Sequence, residues 1–146
     1  MHGMEIELVP DLGARLPRGG QPLAFGATEP GARHRLEWFG EVRPSFVCGA
    51  TWNWRVRIGD RWVQASGGGD GLLDEIRIMR AIEYGPGEAA GIPVVYRGID
   101  VFEHTMAEVE FLLGATPVGH PELRLTGVPG TAHAQAATLT DLSRRR

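Results

Sequence analysis

The sequence predicts an α+β fold: an antiparallel β-meander sheet with two short helices packed on one face and a weak internal duplication. Three observations predict it. Apolar and polar residues alternate on both sides of a Gly-Asp turn between Trp52 and Ser66. Two short stretches, after Thr28 and after Thr105, carry apolar residues at helical spacing behind a capping threonine. The same Phe-x-x-Thr spacing leads into each, from Phe25 to Thr28 and from Phe102 to Thr105.

Taken in order, Glu5 to Val9 alternates as a first strand and stops at Pro10. Asp11 to Pro22 holds three Gly and two Pro residues and reads as loop. Thr28 then caps a helix with Pro30 in its first turn and Ala32, Leu36 and Phe39 on one face, ending at Gly40. A connection follows, ending in a strand at Phe46-Val47-Cys48. In the hairpin, a two-residue turn at Gly59-Asp60 sets Ile58 opposite Arg61, Val56 opposite Val63 and Trp54 opposite Ala65. The other face then carries Arg57 opposite Trp62 and Arg55 opposite Gln64. After the loop Gly67 to Gly71, Leu72 to Met79 alternates as a third antiparallel strand, with Glu75 and Arg77 on the polar face.

Tyr84 to Gly91 is a Gly/Pro/Ala-rich joint, and Ile92 to Tyr96 is a strand. Thr105 and Glu108 have the spacing of a capping box, and Met106, Val109, Leu112 and Leu113 form the apolar stripe of the second helix. Gly114 stands where a left-handed residue closes a helix. Beyond it Pro117, Gly119, Pro121, Gly127, Pro129 and Gly130 break the chain, with one strand at Glu122 to Thr126. This organisation gives one domain over residues 1–130, with half-repeats at about 4–84 and 92–126, and a loosely ordered tail over 131–146.

The bulk numbers exclude more than they assign. The 146 residues, 42% hydrophobic and 23% charged, fit one globular domain. A net charge of −3 and a pI near 5.9 give no global case for nucleic acid or an anionic membrane as partner. The basic side chains are arginines in a Gly-, Ala- and Pro-rich chain, a composition of high-GC bacteria. Cys48 is the single cysteine, so no internal disulfide forms, and a cytoplasmic setting is expected. The N-terminus lacks the basic and apolar regions of a signal peptide, and no apolar run reaches the length of a membrane span.

Leu23-Ala24-Phe25-Gly26-Ala27-Thr28 before one helix, and Val101-Phe102 before Thr105 to Leu113 in the other, carry a resemblance. Over residues 4–114 the pattern resembles a group of uncharacterised actinobacterial α+β proteins built from two half-repeats. It is also similar to the helix-plus-meander units of β-lactamase inhibitory protein and of small outer-membrane assembly lipoproteins. The chain departs from them in lacking a lipobox and disulfides, and in having Ala27 where the group has Met. Those departures speak against a secreted inhibitor or a membrane-anchored lipoprotein, and the group carries no agreed activity. The resemblance therefore implies the fold, lends an inhibitor-like half-repeat to the binding-module reading below, and transfers no catalytic residue.

No catalytic constellation stands out. Gly67 to Gly71 joins two strands and reads as a hairpin loop rather than a phosphate cradle, which leads into a helix. His2, His34, His104, His120 and His133 show no metal-ligand spacing, so no metal or cofactor is expected. Glu103-His104 is the one acid–imidazole neighbour pair, and its place before a helix favours a solvent-exposed loop over catalysis. Cys48, in the apolar stretch Ser45 to Gly49, reads as a buried structural thiol. Arg144-Arg145-Arg146 reads as a solvated tail.

The tryptophans are the remaining signal. Trp52 and Trp54 share one face of their strand, where core packing explains Trp54. Trp62 shares the opposite face with Arg55 and Arg57, and Trp and Arg are the residue types enriched in binding hot spots. A covering helix would explain Trp62 as well. The expected function is a non-enzymatic, intracellular protein-binding module that uses this sheet face. The alternative is a small-molecule protein, or a small cyclase or isomerase of secondary metabolism, with a pocket lined by Trp52, Trp54, Phe46 and Tyr96. A third reading is an oligomer built through an exposed edge strand.

Overall fold

The computed structural model of the chain describes residues 4–46, 48–81, 91–114 and 122–144. The chain begins with β1 (Ile6–Val9), β2 (Gly13–Arg15) and β3 (Leu23–Ala24), then enters α1 (Glu29–Glu37). β4 (Arg43–Pro44), β5 (Trp52–Ile58), β6 (Arg61–Gly67) and β7 (Leu73–Arg80) follow. Next come β8 (Val94–Tyr96), β9 (Ile99–Asp100) and α2 (Met106–Leu112). β10 (Leu123–Thr126), β11 (Ala136–Thr140) and a 3-10 turn, Leu142–Arg144, end the described chain.

The fold is α+β with mostly antiparallel pairing, but its strands form two sheets instead of one meander. Among the described residues, one sheet has the order β3-β2-β1-β8-β9 and the other β10-β11-β7-β6-β5-β4. In the five-stranded sheet β1 pairs with β8 in parallel, Ile6 beside Val94 and Leu8 beside Tyr96. Alternation marks each of these as a strand but says nothing about its partner. All four side chains are fully or almost fully buried, and that shared apolar face holds the pairing. One buried cluster joins the sheets: Ile6, Leu8, Val94 and Tyr96 from the first, Val56, Val63, Ile76 and Ile78 from the second.

The hairpin keeps the register expected of it, from Trp54 beside Ala65 to Arg57 beside Trp62 and Ile58 beside Arg61. Gly59 has φ +58° and Asp60 does not have positive φ, the pattern of a type II′ turn. Both helix entries also form. Thr28 Oγ1 accepts from the Gly31 N–H at 3.2 Å. Thr105 and Glu108 close a full capping box, and Gly114 takes the left-handed conformation at φ +72°. α1 buries Ala32 and Leu36 against β5 and β3. α2 buries Val109 and is tied to the segment before β11 by the Met106 N–H on the Ala132 carbonyl, 2.9 Å. Leu112, placed by its spacing on the apolar stripe, is exposed, as is Phe111. The two helices have different surroundings, and the duplication is not shown.

Three expectations are corrected. Residues 131–146, expected as a loose tail, carry β11, which lies between β7 and β10 inside the larger sheet. Ala136, Ala137, Thr138 and Leu139 are all buried there. A strand covered on both faces has no alternation to read, and small Ala and Thr side chains hide it further. The strand expected at Phe46-Val47-Cys48 lies earlier, at Arg43–Pro44, with Phe46 outside it and 90% exposed. Cys48 is exposed in a turn and is not a buried structural thiol. Val47, most of the Tyr84–Gly91 joint, the breaks at Pro117, Gly119 and Pro121, His2, His120, Arg145 and Arg146 lie outside the described residues.

Candidate sheet-face binding site

Pairing across the larger sheet fixes which side chains share its outer face. Arg43 on β4 lies beside Arg55 on β5, and Arg55 beside Gln64 on β6. Gln64 lies beside Arg77 on β7, Arg77 beside Thr138 on β11, and Thr138 beside Arg124 on β10. A single row across six strands thus carries four arginines. The row next to it holds Arg57, Trp62 and Met79, and the row on the other side holds Asn53, Ser66 and Glu75. A chain with net charge −3 therefore gathers five guanidiniums on one sheet face.

Two of these arginines flank Trp62. The Arg55 guanidinium carbon sits 4.5 Å from the centre of the indole, and that of Arg57 5.6 Å. Both distances are within cation–π range. The long side chains cover the floor beneath them, so that Gln64 and Thr138 are only 4% and 2% exposed. Asn53 Nδ2 donates to Ser66 Oγ at 2.5 Å within that floor. Among the described residues, four buried side-chain atoms have no hydrogen-bond partner: Asn53 Oδ1, Arg55 Nε, Arg77 Nε and Thr138 Oγ1. All four lie on this outer face. Two are the N–H donors of cations, and donors buried without partners are costly.

Trp52 and Trp54, named with Trp62, Arg55 and Arg57 as candidate binding residues, project from the other face of β5. Trp54 Nε1 donates to Glu29 Oε2 at 2.9 Å, and the Arg33 guanidinium carbon lies 4.4 Å from the Trp54 ring. α1 therefore sits beside Trp54, on the inner side, and not over Trp62. Trp52 Nε1 donates to the Gly71 carbonyl at 2.7 Å. Gly67 makes room for that indole, since a Cβ there would stand 2.1 Å from Trp52 Nε1. Of the five candidates, the structure brings Trp62, Arg55 and Arg57 together.

The aromatic pocket does not assemble among the residues expected to line it. Phe46 projects into solvent, while Tyr96 is fully buried in the other sheet, its hydroxyl donating to Glu122. Arg97 Nε donates to the Tyr96 oxygen at 3.2 Å, and burial, with the Glu122 bond second, pushes the Tyr96 phenol up to about 12.

Sequence reading also missed two cations on the inner face. Arg61 is 4% exposed, donating from Nε to the Ile92 carbonyl at 3.1 Å and from Nη1 to Asp60 Oδ2 at 3.2 Å. Arg80 donates from Nε to the Ala134 carbonyl at 2.8 Å and also bonds the Phe102 carbonyl. Their guanidinium carbons lie 4.9 and 4.7 Å from the Phe102 ring, one from each arginine. Burial lowers the pKa of each, against the pull of nearby Asp60 and Asp100. This cluster knits β6, β7 and the turn before α2, with two nitrogens of each guanidinium bonded within the protein.

Glu103 and His104 sit in that turn. The Glu103 N–H donates to Asp100 Oδ1 at 3.2 Å, which makes the pair part of a capped turn. Among the described residues, no three His, Cys, Asp or Glu side chains come together as a metal site. Among the same residues, no helix is long and apolar enough to cross a membrane. No protein-family model, curated protein or solved structure matches the chain.

Proposed function

We propose that the chain is a non-enzymatic protein-binding module whose recognition surface is the outer face of the six-stranded sheet. One observation carries the reading: buried cationic donors on that face, Arg55 Nε and Arg77 Nε, have no partner among the described residues. A carboxylate-bearing partner surface supplies what those donors lack, through charge-assisted hydrogen bonds. Trp62, held between Arg55 and Arg57, supplies a rigid apolar centre of the kind that anchors interfaces. The partner is therefore an acidic protein surface with an apolar patch at its middle. An inhibitor- or immunity-like role inside the cell is the function such a surface serves here.

Affinity capture from the native host tests this, with wild type compared against Trp62→Ala, Arg55→Ala and Arg77→Ala. Arg15→Ala is the control, since Arg15 is exposed and pairs with Glu7 at 3.7 Å in the other sheet. The expected result is a protein retained by wild type and control and lost with each sheet-face variant. Retention that is indifferent to all three substitutions overturns the proposal.

A further inference from the structure

A concavity lies away from the sheet face, between the loop 17–22 and α1. Its volume is about 630 Å³, within the roughly 300–1,000 Å³ of small-molecule pockets. Pro17, Pro22, Trp38 and Phe39 supply apolar wall. Trp38, the C-cap residue of α1, leaves 75% of its surface exposed. A large indole held at a cleft mouth, with little burial of its own, is available to stack on a flat ring.

The cleft wall is stapled in place. Arg35, from α1, donates through Nε to the Gln21 carbonyl and through Nη2 to the Gly19 carbonyl at 3.0 Å. The loop it holds runs through three successive left-handed residues, Arg18, Gly19 and Gly20, at φ +69°, +69° and +85°. Arg18 is not a glycine, and non-glycine residues held in this conformation concentrate at ligand clamps.

Arg18 and Arg35 put positive charge in the cleft. His34, whose Nδ1 lies 4.0 Å from Glu37 Oε1, lines it as well, and among the described residues no carboxylate does. Arg35 is partly desolvated, which lowers its pKa, and no carboxylate pairs with it among the described residues. Two of its nitrogens are engaged with backbone carbonyls, and Nη1 still has its hydrogens to offer. A guanidinium in an apolar cleft without a counter-charge favours an anion there.

We infer that this cleft is a binding site for a small planar aromatic acid. The ring stacks on Trp38 against the proline wall, and the carboxylate meets Arg35, with Arg18 at the rim. The site is separate from the sheet face, and neither reading depends on the other.

Isothermal titration of the full chain with 2-naphthoate, and with neutral 2-naphthamide, tests the inference. Saturable one-to-one binding of the naphthoate is expected, with the amide at least about tenfold weaker through loss of the charge-assisted bond. Trp38→Ala should weaken naphthoate binding by at least about tenfold while leaving the melting curve in place, since the indole is mostly exposed. No saturable binding at millimolar naphthoate overturns the inference. So does equal binding of the amide, or full binding by Trp38→Ala.

Discussion

Replacing Arg77 with methionine should make the free protein more stable while it removes part of the proposed recognition surface. Arg77 lies half-buried on β7, and its Nε–H has no hydrogen-bond partner among the described residues. A buried donor left unpaired costs about 1–3 kcal/mol. Methionine keeps the unbranched stem that covers the Gln64 and Thr138 floor and removes the donor. It also gives up the hydration of the rest of the guanidinium, so the expected net gain is about 1 kcal/mol. Arg55→Met should add a similar amount. The two sites are two strand spacings apart, roughly 10 Å, so the gains should add to within about 0.5 kcal/mol. For a chain of this size, 1 kcal/mol moves Tm by roughly 2–4 °C. Urea unfolding followed by tryptophan fluorescence and circular dichroism measures it, as a rise in midpoint at constant slope. A loss of about 1 kcal/mol or more in Arg77→Met would refute the reasoning, because the guanidinium would then be satisfied in solution.

Three further predictions concern the scaffold. The Tyr96 phenol, pushed up to about 12, binds its proton more tightly in the folded state than the unfolded value near 10 allows. Its stability contribution is therefore complete below about pH 10 and lost as pH rises towards 12, and Tyr96→Phe should flatten stability across that window; an unchanged profile contradicts the assignment. Gly67→Ala places a methyl 2.1 Å from Trp52 Nε1 and should break the indole bond to the Gly71 carbonyl. The cost should be about 1–3 kcal/mol, with a shifted Trp52 indole proton in the NMR spectrum; an unmoved resonance would sink the packing argument. Cys48 is exposed, so the folded protein should react with a disulfide reagent as fast as the unfolded chain does; a thiol that reacts only after denaturation contradicts its placement.

What was legible in the sequence was local. Alternation from Trp52 to Ile58 and the Gly59-Asp60 turn were enough to set the hairpin register, because a one-residue slip would expose Val56 and Val63. Thr105 and Glu108 specify their helix start through reciprocal bonds at 3.1 and 2.9 Å. Long-range pairing was not legible. Nothing in Ile6 or Val94 alone says that their strands run parallel, and the Ala/Thr strand from Ala136 has no period to find. The Arg55, Arg57 and Trp62 face followed from the register, whereas Arg43, Arg124 and Thr138 joined its central row through strands that the alternation did not place together. Arg61 and Arg80 were missed for another reason. A buried guanidinium beside Phe102 needs acceptors from Ile92 and Ala134, which only the tertiary fold supplies.

Arg55 Nε and Arg77 Nε, without hydrogen-bond partners among the described residues, are proposed to meet an acidic partner. Stability and partner retention, read on the same Arg55→Met, Arg77→Met double variant, test this together. The double variant should melt higher than wild type and no longer retain the partner captured by wild type. A double variant that is destabilised, or that still retains the partner in full, would contradict it.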